Sequence, residues 1–208
     1  MNASVSAQSP PQQEATRSRI GAWLFRHRTA TALPIAIALL TVRAGEAAPT
    51  IWLTVAGIAI TAAGELVRLW SVRQIGTISR TRSDRLGPLV ETGPFAYVRN
   101  PLYLGNLAVW TGFALTARLV WLAPLVLLLL GAAYHAVVRW EEGLLASRLG
   151  DSYRVYARHV PRWIPALRPQ RRATPPRLFS WRETLFSERG TLIAIAAGYA
   201  LISLKFNW

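Results

Sequence analysis

Cysteine is absent from this chain of 208 residues, which removes disulfides, thiolate zinc sites and cysteine nucleophiles from consideration. Acidic residues are scarce: ten Asp and Glu stand against 24 Lys and Arg, and Lys205 is the only lysine. The three histidines, His27, His135 and His159, show no paired ligand spacing, so no metal site is expected. Charged residues of both signs make up 16% of the chain against 52% hydrophobic residues, with a mean hydropathy of +0.25. That composition is too apolar for an ordinary soluble domain and fits a small multispanning membrane protein. A net charge of +14 also suits nucleic-acid binding. Here, however, the arginines flank apolar segments and form no single stripe. Membrane topology accounts for them, and no nucleic-acid partner is expected.

What is present is a set of apolar runs. They fall at about residues 30–42, 49–70, 102–117, 119–140 and 191–204. A straight span needs roughly 20 apolar residues, so the second and fourth runs are long enough and the others must borrow flanking residues or tilt. The expected fold class is an all-α integral membrane protein of about five transmembrane helices. Residues 1–20, polar and without an apolar core before a small-residue cleavage site, are expected to be a flexible tail. Residues 21–208 are expected to form one membrane-embedded domain, with the last helix at about 190–205. No internal repeat is evident. Arginines crowd the stretch before the first run and the connections after the second and fourth; the alternate connections carry only Arg43, Glu46 and Arg118. The positive-inside rule therefore places the N-terminus and both basic connections in the cytosol.

Two polar blocks carry chemistry. Residues 93–105 read GPFAYVRNPLYLG, and residues 150–165 read GDSYRVYARHVPRWIP, with the pair Glu141-Glu142 shortly before the second block. Gly93-Pro94 signals a turn; Asn100-Pro101 signals a helix start, with Asn100 as its cap. The unpaired N–H groups of that start, beside Arg99, suit a carboxylate or phosphate, and Phe95, Tyr97 and Tyr103 suit a flat ring. Membrane-interface punctuation explains the same residues equally well. On a continuing helix His135, Arg139 and Glu142 share one face, with Glu141 pointing elsewhere. Arg139 and Glu142 then either pair and cap the span or line a site. Glu65 and Arg68 within the second run are costly at that depth and either line the site or neutralise each other.

The ordered blocks GPFAYVRNPLYLG, the Glu-Glu pair with Leu144-Leu145, and Gly150, Tyr153, Tyr156 and VPRWIP resemble the isoprenylcysteine carboxyl methyltransferase family, grouped with the membrane phospholipid methyltransferases. The likeness spans about residues 76–165. It implies an all-helical membrane enzyme that binds S-adenosylmethionine (SAM) at the cytosolic face, leaves S-adenosylhomocysteine, and methylates a lipophilic or lipid-modified acceptor, with membrane lipids as partners. By position it assigns Gly87, Pro88, Leu89, Val90, Phe95, Tyr97, Arg99, Asn100, Pro101, Tyr103, Glu141 and Glu142 to the cofactor. Arg139, with His135, Glu65 and Arg68, falls to the acceptor side; Arg139 and Glu142 are the catalytic candidates. The family histidine is Asn100 here, which cannot act as a base, so a carboxylate acceptor is favoured. A membrane reductase on a similar scaffold and a non-enzymatic membrane module are the alternatives. The dominance of arginine over lysine suggests a bacterial chain, hence the inner membrane.

Overall fold

Helices alone make up the regular structure of the described residues, which in this computed structural model are 12–27, 30–76, 89–169 and 178–207. In chain order they are α1 (Gln12–Arg26), α2 (Leu33–Thr41), α3 (Ile51–Ile75), α4 (Pro101–Thr116), α5 (Leu122–Leu149), α6 (Asp151–His159) and α7 (Trp181–Lys205), with short 3-10 turns at Ala30–Ala32 and Gly93–Ala96. Helix α1 begins at Gln12, inside the stretch expected to be a tail; residues 1–11 lie outside the described residues. Three helices, α3, α5 and α7, are long and apolar enough to cross a membrane, which fits a membrane protein. Helix α4 has 16 residues and α2 has nine, each shorter than a straight span requires.

The chain marks its own helix ends. Gly76 closes α3 and Gly150 closes α5, each at positive φ, where a side chain would be strained. Ser180 opens α7 in a capping box with Glu183: each side chain bonds the other's backbone N–H. This box explains why α7 starts at Trp181, well ahead of the apolar run at 191. Its first turns carry Arg182, Glu183, Glu188 and Arg189, which hide a helix from a hydropathy reading.

Helices α3 and α4 pack antiparallel along their lengths, brought together by glycines. A Cβ on Gly57 would sit 2.6 Å from the Gly112 carbonyl oxygen, and one on Gly64 would sit 2.7 Å from that of Gly105. The two glycine pairs lie about two helical turns apart, so both crossings fall on one seam. Gly57, Thr61 and Gly64 thus spend their small-residue face on an internal contact. Tyr199 of α7 closes over this seam, donating to Thr61 Oγ1 at 2.7 Å while its ring meets Phe113 edge-on at 5.1 Å. The apolar core runs through Leu39, Val109, Phe113, Leu119, Val126, Leu130, Tyr134 and Ile202. Helix α1 lies across α5, Phe25 against Trp140 at 4.9 Å.

Charges collect at three levels. Inside the helix group, Arg68 bonds Glu65 at 3.1 Å and Thr191 at 3.1 Å, and also Asn106 and Glu188, tying α3, α4 and α7 together. At the end bearing residues 43–46 and 118, Lys205 is 4% exposed. It reaches Glu46 at 2.9 Å and donates to the carbonyls of Leu39 and Val42, which sit at the C-terminal end of α2. Arg118, a non-glycine residue at φ +62°, completes this cluster by pairing with Glu46 at 3.0 Å and lying over the Phe206 ring. The third level, at the arginine-rich end, is the candidate site.

Candidate functional site

The two polar blocks singled out in the sequence meet in space. Residues 97–100 run beside residues 161–166, joined by Arg99 N–H to the Pro161 carbonyl at 2.9 Å and Ala166 N–H to the Tyr97 carbonyl at 2.9 Å. The Asn100 side-chain amide donates to the Arg162 carbonyl at 3.2 Å. Asn100 was expected to cap α4, and it makes no side-chain cap bond. Its amide is drawn instead to the facing irregular segment, while Pro101 at the first helical position needs no donor partner. Tyr156 of α6 pins the turn from the other side, its hydroxyl donating to the Phe95 carbonyl at 2.9 Å.

Glu142 stands at the centre. Arg162 grips its carboxylate with Nε at 3.1 and 3.0 Å and Nη2 at 2.7 Å, and Arg99 Nη1 lies at 3.2 Å. Such bidentate, charge-assisted contacts fix geometry as well as charge. The sequence offered Arg139 as a partner for Glu142; the carboxylate turns to Arg99 and Arg162 instead, because their segments are zipped together below it. Arg139 is exposed, and among the described residues it has no hydrogen bond or ion pair. Glu141 faces away from Glu142 and accepts from the Tyr103 hydroxyl at 3.0 Å. The adjacent carboxylates therefore serve different neighbours.

A cavity of about 310 Å³ opens here, lined by Arg99, Arg139, Glu142, Gly143, Tyr153, Arg154 and Arg162 among others. Four arginines face it against the carboxylate of Glu142 in the lining and that of Asp151, which pairs with Arg154 at 3.0 Å, so the remaining positive excess favours an anionic group. Burial pushes the Tyr153 phenol up to about 12, with the Glu142 charge adding to the shift and Arg99 opposing it. Tyr156 is raised as well, chiefly by burial and then by Tyr153. Both phenols are therefore neutral donors at ordinary pH.

The remaining sequence candidates scatter. Phe95 is buried, Tyr97 lies 6.3 Å from Trp70, and Tyr103 packs at a tilt against Tyr134 at 5.0 Å, so the three aromatics do not form one sandwich. His135 accepts from the Trp163 indole at 3.1 Å and does not line the cavity. Glu65 and Arg68 belong to the network between α3, α4 and α7, away from the cavity lining. Leu89 packs on the Tyr153–Tyr156 cluster and Val90 is half-buried, while Gly87 and Pro88 lie outside the described residues. Sequence reasoning did not nominate Arg162, Tyr153 and Arg154, which line the cavity, although all three lie in the block 150–165 already singled out. Among the described residues, no three His, Cys, Asp or Glu side chains gather as a metal site.

Among the described residues the regular structure is helical, three helices are long and apolar enough to cross a membrane, and a polar, arginine-walled cavity opens at one end. Residues 52–152, from α3 to the start of α6, match the phospholipid methyltransferase family (PEMT). It is 29% identical over 168 residues to the nickel-cobalt-cadmium resistance protein NccN of Alcaligenes xylosoxydans xylosoxydans, covering 78% of this chain and 72% of that protein. It is 28% identical over 163 residues to the cobalt-zinc-cadmium resistance protein CzcN of Cupriavidus metallidurans, covering 73% of this chain and 66% of that protein. No solved structure gives a significant match.

Proposed function

We propose that this chain is a SAM-dependent membrane methyltransferase whose acceptor is lipophilic and carries an anionic group, with a carboxylate favoured. The observation that carries this reading is Arg139, which has no hydrogen bond or ion pair among the described residues and stands on the wall of a cavity that already holds the Arg99–Glu142–Arg162 cluster. An unpaired guanidinium at such a boundary orients a carboxylate through two parallel hydrogen bonds. SAM suits the cavity through its amino-acid carboxylate, which matches Arg154 or Arg99; Glu141, held by Tyr103 outside the cavity lining, is the candidate for its hydroxyls and ammonium on the family resemblance alone. When bound it supplies an activated sulfonium methyl. Glu142 holds Arg99 and Arg162 in place, and Arg139 aligns the acceptor oxygen. A carboxylate needs no base, and none of the groups lining the cavity is placed as one. Positioning and exclusion of water then carry most of the rate.

The arginine-rich end is read as cytosolic, with α2 and α4 completing five spans in a bacterial inner membrane. The names of the two relatives suggest resistance to nickel, cobalt, cadmium or zinc as the setting. The test is calorimetry of SAM and S-adenosylhomocysteine on detergent-purified protein, followed by transfer of labelled methyl from SAM into a bacterial lipid extract. Wild type is expected to bind; Glu141→Gln and Glu142→Gln are expected to bind more weakly; Arg139→Ala is expected to bind normally and lose transfer. A folded wild type that binds neither nucleoside sinks the reading, and undiminished transfer by Arg139→Ala removes that residue from it.

A further inference from the structure

The segment after α6 has an unusual surface. Leu167 is 99% exposed and Ile164 is 81% exposed, the two most exposed large hydrophobic side chains among the described residues. Between them lies Pro165, in backbone that is not helical. Yet the neighbouring Trp163 packs on the apolar core and donates its indole N–H to His135 in α5 at 3.1 Å.

Helix α5 gives the depth of that contact. Trp121 precedes its first residue and bonds the Ala44 carbonyl at the opposite end, as an interfacial tryptophan does. At 1.5 Å per residue, His135 lies about 20 Å along the axis from Leu122, Arg139 about 26 Å and Glu142 about 30 Å. A hydrocarbon layer of about 30 Å then ends near Glu142 and leaves His135 well inside it. Trp163 therefore reaches back into the bilayer from the arginine-rich side. Irregular backbone is tolerated at that depth only where the protein satisfies its polar groups. Here Pro161 O accepts from Arg99 N–H, Arg162 O accepts from Asn100, and Ala166 N–H donates to Tyr97 O. Just beyond, Arg168 is exposed, and Arg171 and Arg172 follow in the sequence, a charge pattern matched to anionic headgroups.

We propose that residues 163–167 form a lipid-embedded lip, with Ile164 and Leu167 among the acyl chains of the leaflet on the arginine-rich side. One edge of this segment carries Arg162 to Glu142 and the cavity, and the other edge meets lipid. The lip thus brings the acyl region to the mouth of the site. The proposal rests on α5 crossing the membrane and is independent of the methyl donor.

The chain has no native cysteine to interfere with labelling. Ile164→Cys, Leu167→Cys and Ser152→Cys, the last exposed on α6 as an aqueous reference, would each carry a bimane fluorophore. The proteins would be placed in vesicles of phosphatidylethanolamine and phosphatidylglycerol. Emission is then quenched either by lipids with a nitroxide on the acyl chain or by aqueous iodide. At 164 and 167, acyl-chain quenching is expected to exceed that at 152 by about threefold or more, with iodide quenching reduced by a similar factor, because the acyl region excludes water and ions. Iodide access equal to the reference at either position overturns the proposal. Protection from both quenchers also overturns it, since a second copy or another part of the chain would then cover the lip. Both side chains are exposed, so cysteine opens no hole in the core.

Discussion

Replacing Arg162 by alanine should cost the fold about 2–3 kcal/mol. Its guanidinium supplies three close contacts to Glu142, and the Glu142 side chain is only 11% exposed. Breaking an isolated buried ion pair costs about 3–5 kcal/mol, because a charge is left behind without compensation. Two features reduce that figure here. Arg99 remains at 3.2 Å, and the Arg162 side chain is itself 31% exposed, so water has partial access to the gap. For a chain of this length each kcal/mol moves the melting temperature by about 2–4 °C, giving a fall of about 4–12 °C. Intrinsic tryptophan fluorescence in a mild detergent reads the transition. Arg162→Lys, with a point charge in place of a fork, should recover part of the loss. In a double-mutant cycle with Glu142→Gln, the two changes should be non-additive by at least about 1 kcal/mol. A melt of Arg162→Ala within about 1 °C of wild type, or simple additivity, would refute the view that this pair organises the site.

Alkaline pH should expose Tyr153. Its folded pKa is raised to about 12 from 10.0, so its contribution is intact below pH 10 and is lost as pH climbs from 10 to 12. The slope is up to about 1.4 kcal/mol per pH unit. Tyr153→Phe should melt with a visibly shallower decline across that window, and identical declines would dissociate the residue from the buried environment described. At the α3–α4 seam, a Cβ on Gly64 would lie 2.7 Å from a backbone oxygen that cannot rotate away. Gly64→Ala should therefore lower stability by about 1–3 kcal/mol. Gly131→Ala, with nothing within 4 Å of the new methyl group, should be neutral or gain up to about 1 kcal/mol from helix propensity. Equal effects of the two on the melting temperature would show that the helices are not in contact there.

The helices were legible where hydropathy and punctuation agreed. The runs at 49–70 and 119–140 became α3 and α5, although α5 continues through Arg139, Glu141 and Glu142 to Leu149. A hydropathy reading stops at the first charges, whereas a helix stops where its backbone is capped, here at Gly150. The same blindness shortened α7. The convergence of GPFAYVRNP with VPRWIP was foreshadowed only by their shared polarity, since hydrogen bonds between segments some 60 residues apart leave no periodic trace. Pair choice was the least legible feature. Spacing of i, i+3 nominated Arg139 for Glu142, yet Arg162, remote in sequence, holds the carboxylate. Local spacing states which partners are near, and tertiary packing decides among them.

The chain's one lysine deserves a practical reading. Lys205 is 4% exposed, with its amine engaged by Glu46 and by two carbonyl oxygens. Amine-directed reagents therefore find no reactive side chain on the folded surface, and thiol-directed reagents find none anywhere. To thiol chemistry the side chains are blank, and to amine chemistry they are blank while α7 stays docked, leaving only an N-terminal amine to react. A side-chain probe, tether or surface attachment will therefore sit where a residue has been introduced to receive it, and amine labelling at Lys205 would report that the C-terminal end of α7 had come undocked.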